Sequence, residues 1–230
     1  MGNSLDIGTG LRSMARVLMK TKSVKAGAAA GMLLASALAG GSAEAFSRTD
    51  GLASHSLDQG SAGMAPPIPH TLLAEALSAY RKHAHEVRNA RYISIADFSR
   101  HSSQERLFIL DLETGTHEAL LVAHGQGSDR NHDGFADVFS NEVDSHMSSL
   151  GAYVTLGTYQ GKHGLSMRLR GLEPTNDRAR ERAIVMHGAD YVSRERDTLG
   201  RSWGCPAIEP HLVEKVLPRL AGGTFLYITR

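Results

Sequence analysis

The residues best suited to chemistry fall between Ile184 and Ile208, in the run IVMHGADYVSRERDTLGRSWGCPAI. His187 is followed at once by Gly188, and Cys205, the only cysteine of the chain, lies 18 positions further on. A thiol of ordinary pKa is only a few per cent thiolate at neutral pH. An imidazole beside it raises that fraction by ion-pairing with the thiolate, and can also pass a proton to a leaving group. The run Ser202-Trp203-Gly204 before the cysteine reads as a tight loop. A glycine at that point lets backbone N–H groups face an incoming carbonyl, as an oxyanion hole requires, and Pro206 stiffens the far side. By itself a His–Cys pair at this separation is equally well a packed histidine and a small buried thiol. One cysteine makes no internal disulfide, so Cys205 is an inert thiol, an intermolecular cross-linker or a nucleophile.

These residues need elements to hold them. From His70 to Val87, Leu72, Leu73, Ala76, Leu77 and Tyr80 recur at helical spacing and predict one amphipathic helix. Beyond it the pattern is mostly β. YISIADF alternates, and RLFILDLETGTHEALLVAHG reads as two strands around a turn at Glu113–Gly115. AYVTLGTYQG and LSMRLRGL continue the pattern, AIVMHG is a short buried strand ending at His187, and GGTFLYITR closes the chain. HLVEKVLPRL predicts a short helix between the last two. No repeat of 20–50 residues is evident, so one mainly β domain (β-rich α+β) with peripheral helices is expected.

The chain has 230 residues, 41% hydrophobic and 21% charged, which is ordinary for a globular protein and excludes wholesale disorder. Its net charge of +1 hides a split. Residues 1–45 hold five of the 25 Lys/Arg and two of the 24 Asp/Glu, so the remainder has 20 and 22, a net charge of −2. A nucleic-acid partner is not expected without a basic surface. The split comes from a basic KTKSVK segment, an apolar run from Ala26 to Ala39, and Ala43-Glu44-Ala45 before Phe46. That order predicts a signal peptide over residues 1–45, and the apolar run is shorter than the roughly 20 residues of a membrane span. Export to the periplasm or another extracytoplasmic space follows, with no stable span after cleavage. Residues 46–69, rich in Ser, Gly, Ala and Pro, read as a flexible linker.

From about Arg91 onward the sequence resembles the murein L,D-transpeptidase catalytic domain, the YkuD-like family, in a branch with a longer central region. The matching pieces are ISIADFSRHSSQERLFILDLETG, VAHGQGS, SSLGAYVTLGTYQGKHGLSMRLRGLE, NDRARERAIVMHGADYV and LGRSWGCPAI. The resemblance implies a β-sandwich-like catalytic domain, here residues 70–230. It implies that Cys205 is the nucleophile of an (S/T)-x-G-C motif, that His187 is its partner, and that the Gly188 carbonyl orients the ring. Gly204 and Cys205 N–H groups would form the oxyanion hole. Ser202, Trp203, Arg201, His163 and Tyr159 are carried as oxyanion or substrate-binding candidates. Two departures stand out: Trp203 replaces a second histidine before the Gly-Cys pair, and Ala207 replaces an arginine two positions after the cysteine. Arg201, Arg168 and Arg180 are candidates to supply that charge.

The activity implied is transfer of an acyl group from peptidoglycan stem peptides. Cys205 would break the bond between stem residues three and four and pass the acyl group to an amine of another stem, to a lysine of an envelope protein, or to water. No cofactor or metal is called for. Three alternatives stay open: L,D-carboxypeptidase activity, a papain-like or NlpC/P60-like peptidase (whose cysteine precedes the histidine), and a non-catalytic wall-binding module. His124 is expected to be structural, Tyr191 and Ser166 are further cleft candidates, and Arg178–Arg182 reads as a charged surface run. The loop Asp129–Asp137 places oxygens at alternate positions as calcium loops do, but lacks the closing glutamate of an EF-hand, and no metal is assigned to it.

Overall fold

The computed structural model describes residues 65–230. The expected signal peptide and most of the linker, up to residue 64, lie outside the described residues. The order of elements is helix α1 (His70–Lys82), strands β1 (Tyr92–Asp97), β2 (Leu107–Asp111), β3 (Thr116–Leu120), β4 (Gly151–Gly161), β5 (Gly164–Gly171), β6 (Val185–Gly188) and β7 (Ala207–Ile208), helix α2 (Val213–Leu220), and strand β8 (Phe225–Thr229). The mainly β expectation with two helices holds. All eight strands form one sheet in the order β3-β2-β1-β8-β4-β5-β6-β7. The pairs β1–β8 and β6–β7 are parallel and the rest antiparallel.

The alternation of the sequence explains how this sheet closes over a core. On one face every strand contributes to a single cluster: Ala96, Leu107, Leu120, Tyr153, Leu169, Met186, Ile208 and Leu226, with Val213, Val216, Leu217 and Leu220 of α2. Eight strands about 4.8 Å apart would span over 30 Å if flat, so sharing one cluster requires the sheet to curl. On the other face Ile93, Ile95, Phe108, Leu110 and Phe225 meet Leu72, Ala76, Leu77 and Tyr80 of α1. Tyr80 packs edge-on to Phe225, with centroids 5.4 Å apart at 89°. Ala65 and Ile68 also lie against this second cluster, and the Pro66 carbonyl meets His117 Nε2 at 3.0 Å.

Helix α1 stops at Lys82 rather than Val87. His83 leaves helical geometry at φ −108° and its Nε2 lies 3.1 Å from Glu173 Oε1, which turns the chain into a short 3-10 segment over Ala84–Glu86. Strand β7, two residues long, was not among the expected strands. It pairs His187 with Ala207 and Gly188 with Ile208. A third, smaller cluster of Leu121, Ala123, Ala189, Val192, Leu199 and Ala207 lies behind it.

Candidate active site

The pairing of β6 with β7 places the two residues singled out first. His187 sits at the end of β6, held by Ser166 of β5 on one side and Ala207 of β7 on the other. Cys205 is two residues before Ala207. The His187 N–H donates to the Pro206 carbonyl at 3.4 Å, so the chain beside Cys205 lies against β6 although 18 positions separate the two residues in sequence. Both line one cleft of about 390 Å³, together with Tyr159, Lys162, His163, Arg182, Tyr191 and Trp203.

The loop that carries the sulfur is braced from within. The Ser202 N–H donates to the His124 carbonyl at 2.9 Å, and the Gln126 N–H donates to the Ser202 carbonyl at 2.8 Å. The Ser202 hydroxyl donates to the Cys205 carbonyl at 2.6 Å and accepts the Gly204 N–H at 3.0 Å. Ser202 is buried, and its hydroxyl is spent inside the loop rather than offered to the cleft. The Gly204 N–H, expected as an oxyanion donor, is likewise engaged by Ser202. The Cys205 N–H has no partner among the described residues. Gly204 has φ +108°, and a Cβ there would come within 2.5 Å of the Met147 carbonyl oxygen, so only glycine suits the position.

The Cys205 sulfur accepts from the Val185 N–H at 3.5 Å and lies 3.8 Å from the Ala183 carbonyl. His187 Nδ1 lies 2.9 Å from the Gly188 carbonyl. A carbonyl can only accept, so Nδ1 carries the proton and Nε2 of the neutral ring carries the lone pair. Burial pushes the His187 pKa down, against the Gly188 bond, and His163 and Lys162 lower it further. Burial pushes the Cys205 thiol up, offset in part by the Val185 N–H and by Arg182 and Lys162. Both shifts favour the uncharged forms. These directions favour a neutral thiol and a neutral imidazole over the thiolate–imidazolium pair expected from sequence, and no hydrogen bond joins the two side chains among the described residues.

The remaining candidates divide. His163 is stacked on His187, centroids 4.4 Å apart and planes at 24°. The second imidazole of the cleft thus comes from the turn between β4 and β5, while Trp203 occupies the position before Gly204. Trp203 is 65% exposed on the cleft rim, stacked on His146 at 4.6 Å. Tyr159 lines the cleft with the Arg168 guanidinium 3.9 Å over its ring. Tyr191 lines it too, its hydroxyl pushed up to about 12 by burial and by Cys205, so it stays a neutral phenol.

Of the arginines proposed to supply a charge, Arg201 reaches the cleft but its guanidinium donates to the Asp129 carbonyl, and Arg180 is exposed. The residue that sequence reasoning missed is Arg182. Taken as part of a surface run, it is instead half-buried, donating to the carbonyls of Ser140 and Met147 and to Ser149 Oγ. A Cβ on Gly204 would meet its Nη2 at 3.0 Å, which places the cation directly under the cysteine loop. Its only sequence signal was its place three residues before β6, the strand that carries His187. Ser166 is buried, with its hydroxyl donating to the Gly164 carbonyl.

His124 is structural, as expected. It is buried between Arg106, whose guanidinium donates to Nδ1 at 2.7 Å, and Asp129, which accepts from Nε2 at 3.2 Å. Asp129 also accepts the N–H groups of Asp133 and Gly134, which turns its carboxylate inward. Among the described residues no group of three or more His, Cys, Asp or Glu is placed to hold a metal.

The L,D-transpeptidase catalytic domain family matches this sequence over residues 65–229. Solved structures with a similar fold include an L,D-transpeptidase from Mycobacterium smegmatis, 10% identical with a TM-score of 0.39, covering 62% of this chain and 60% of that one. Another is L,D-transpeptidase 3 from Mycobacterium tuberculosis in complex with a faropenem-derived adduct, 10% identical with a TM-score of 0.40, covering 61% and 60%. A third, L,D-transpeptidase (Yku) from Stackebrandtia nassauensis, is 13% identical with a TM-score of 0.37, covering 69% and 66%. The chain spans about three fifths of the length of the two mycobacterial structures. No curated protein matches it.

Proposed function

Because the chain belongs to the L,D-transpeptidase catalytic domain family, we propose that it is a peptidoglycan L,D-transpeptidase with Cys205 as nucleophile and His187 as its base. The observation that carries this reading is that the Cys205 thiol and His187 line one cleft while Gly188 fixes the ring with a lone pair on Nε2. The alternative with the cysteine ahead of the histidine in the chain does not suit this pair.

The chemistry is a two-step acyl transfer. The Cys205 sulfur attacks the carbonyl of stem residue three while its proton passes to His187 Nε2. The oxyanion is met by the Cys205 N–H. As the bond to residue four breaks, the imidazolium returns the proton to the departing amine and a thioester remains. An acceptor amine then attacks the thioester, its proton is taken by His187, and the Cys205 thiol is released. The thioester conserves the energy of the broken amide, so the exchange needs no external energy source. Arg182, fixed beneath the loop, favours the negative charge that builds on sulfur. We place the reaction outside the cytoplasm, where its polymeric substrate lies, and take the acceptor to be a stem amine or an envelope protein lysine.

The test is incubation of the purified protein with a tetrapeptide-stem muropeptide, read by mass spectrometry of the products. Cross-linked dimers with release of the fourth residue, absent for Cys205→Ser, support transfer. Tripeptide stems alone would make the protein a carboxypeptidase, and an unchanged substrate would make it a binding module.

A further inference from the structure

The turn that joins β4 to β5 places Lys162 and His163 over the cleft, and Gly164 closes it at φ +72°. His163 is itself exposed, yet its ring lies nearly parallel to that of His187 at 4.4 Å. His187, on the wall of an open cleft, is only 3% exposed. Two separate contacts therefore fix the His187 ring. The Gly188 carbonyl takes its Nδ1 proton and sets its rotation, and His163 covers one of its faces.

We infer that His163 is a positioning residue, which holds the plane of the His187 imidazole by stacking and shields that ring from water. The inference rests on the proposed role of His187 as base, and it assigns His163 no contact with substrate. Stacking keeps Nε2 in a fixed direction while the base is neutral. When the base becomes imidazolium, the π-face of the stacked His163 ring accommodates the new charge. The titratable and charged groups that line the same cleft as His187 are Lys162 and His163 on the turn, and Cys205, Arg182, Tyr159, Tyr191 and Arg201. Asp190 and Glu214 line a second cavity that His163 also borders.

Two variants separate stacking from the ring nitrogens: His163→Ala removes the ring, whereas His163→Phe keeps a stackable face without them. Neither Lys162 nor His163 has positive φ, so neither variant is expected to strain the turn. Two readouts are measured: acylation of Cys205 by a carbapenem across pH, and titration of the His187 ring by nitrogen NMR. For His163→Ala, acylation falls about tenfold, the size of an aromatic stacking contribution. The His187 titration in the same variant moves up toward the ordinary histidine range, because the ring becomes hydrated. For His163→Phe, the rate stays within about threefold of the parent, and the acid limb moves slightly upward because His163 itself lowers His187.

Parent behaviour of His163→Ala in both readouts overturns the inference. So does a His163→Phe variant as slow as His163→Ala, which would mean a ring nitrogen is needed. The NMR titration reads the stacking even if the parent is not acylated at all, a result that would count against the proposed function alone.

Discussion

The resting state of the site is set by a competition between burial and charge. Burial raises the Cys205 thiol and lowers His187, and the nearby cations Arg182 and Lys162 only partly offset the first effect. Alkylation of Cys205 by iodoacetamide should therefore be slow at pH 7 and accelerate through an apparent pKa above the ordinary thiol value. A fast, pH-independent reaction between pH 6 and 8 would reveal an ion pair instead. Because Arg182 favours the thiolate, Arg182→Met should push that apparent pKa higher still, by the same assay. The sequence made Cys205, His187 and Gly188 legible, since a strand-end His-Gly and a Gly-Cys loop are local patterns. It could not show Arg182 turning inward, because the acceptors that turn it, the carbonyls of Ser140 and Met147, are about 40 positions away.

At the scale of elements, a two-residue strand and a braced loop do the positioning. Strand β7 is too short to leave a period-2 signal, and its evidence lies only in its partner β6. The longer strands β1 to β5 alternate over enough residues to be read directly, while the end of α1 depends on His83 meeting a glutamate 90 positions later. Replacing Gly204 by alanine would force a side chain into a left-handed backbone at φ +108° and against the Met147 carbonyl. A cost of about 1–3 kcal/mol is expected for such a site, together with loss of Cys205 acylation; thermal melting and β-lactam labelling check the two parts. Helix α1 lies on the face remote from the cleft. Leu77→Ala, at a fully packed position, should cost about 2–5 kcal/mol in denaturant unfolding while the folded fraction acylates at the parent rate.

For the molecule as a whole, a buried network behind the loop links stability to pH. Burial and Arg106 push His124 down to about 4, against its bond to Asp129. The unfolded chain binds a proton near 6.5 that the folded state refuses until about 4, so stability falls as pH drops through that window. The lowered His187 adds to this loss in the same direction. His124→Gln should be less stable at neutral pH yet show a flatter profile between pH 6.5 and 4 in denaturant titrations. An equally steep profile would assign the dependence to other groups.

In acyl transfer by this site Cys205 must carry the acyl group, and intact mass of the purified protein incubated with a tetrapeptide stem observes that group directly. The protein should gain the mass of the stem minus that of the free fourth amino acid released, and Cys205→Ser should gain nothing. A parent protein that stays at its own mass while substrate is consumed, or an adduct that survives in Cys205→Ser, would contradict it.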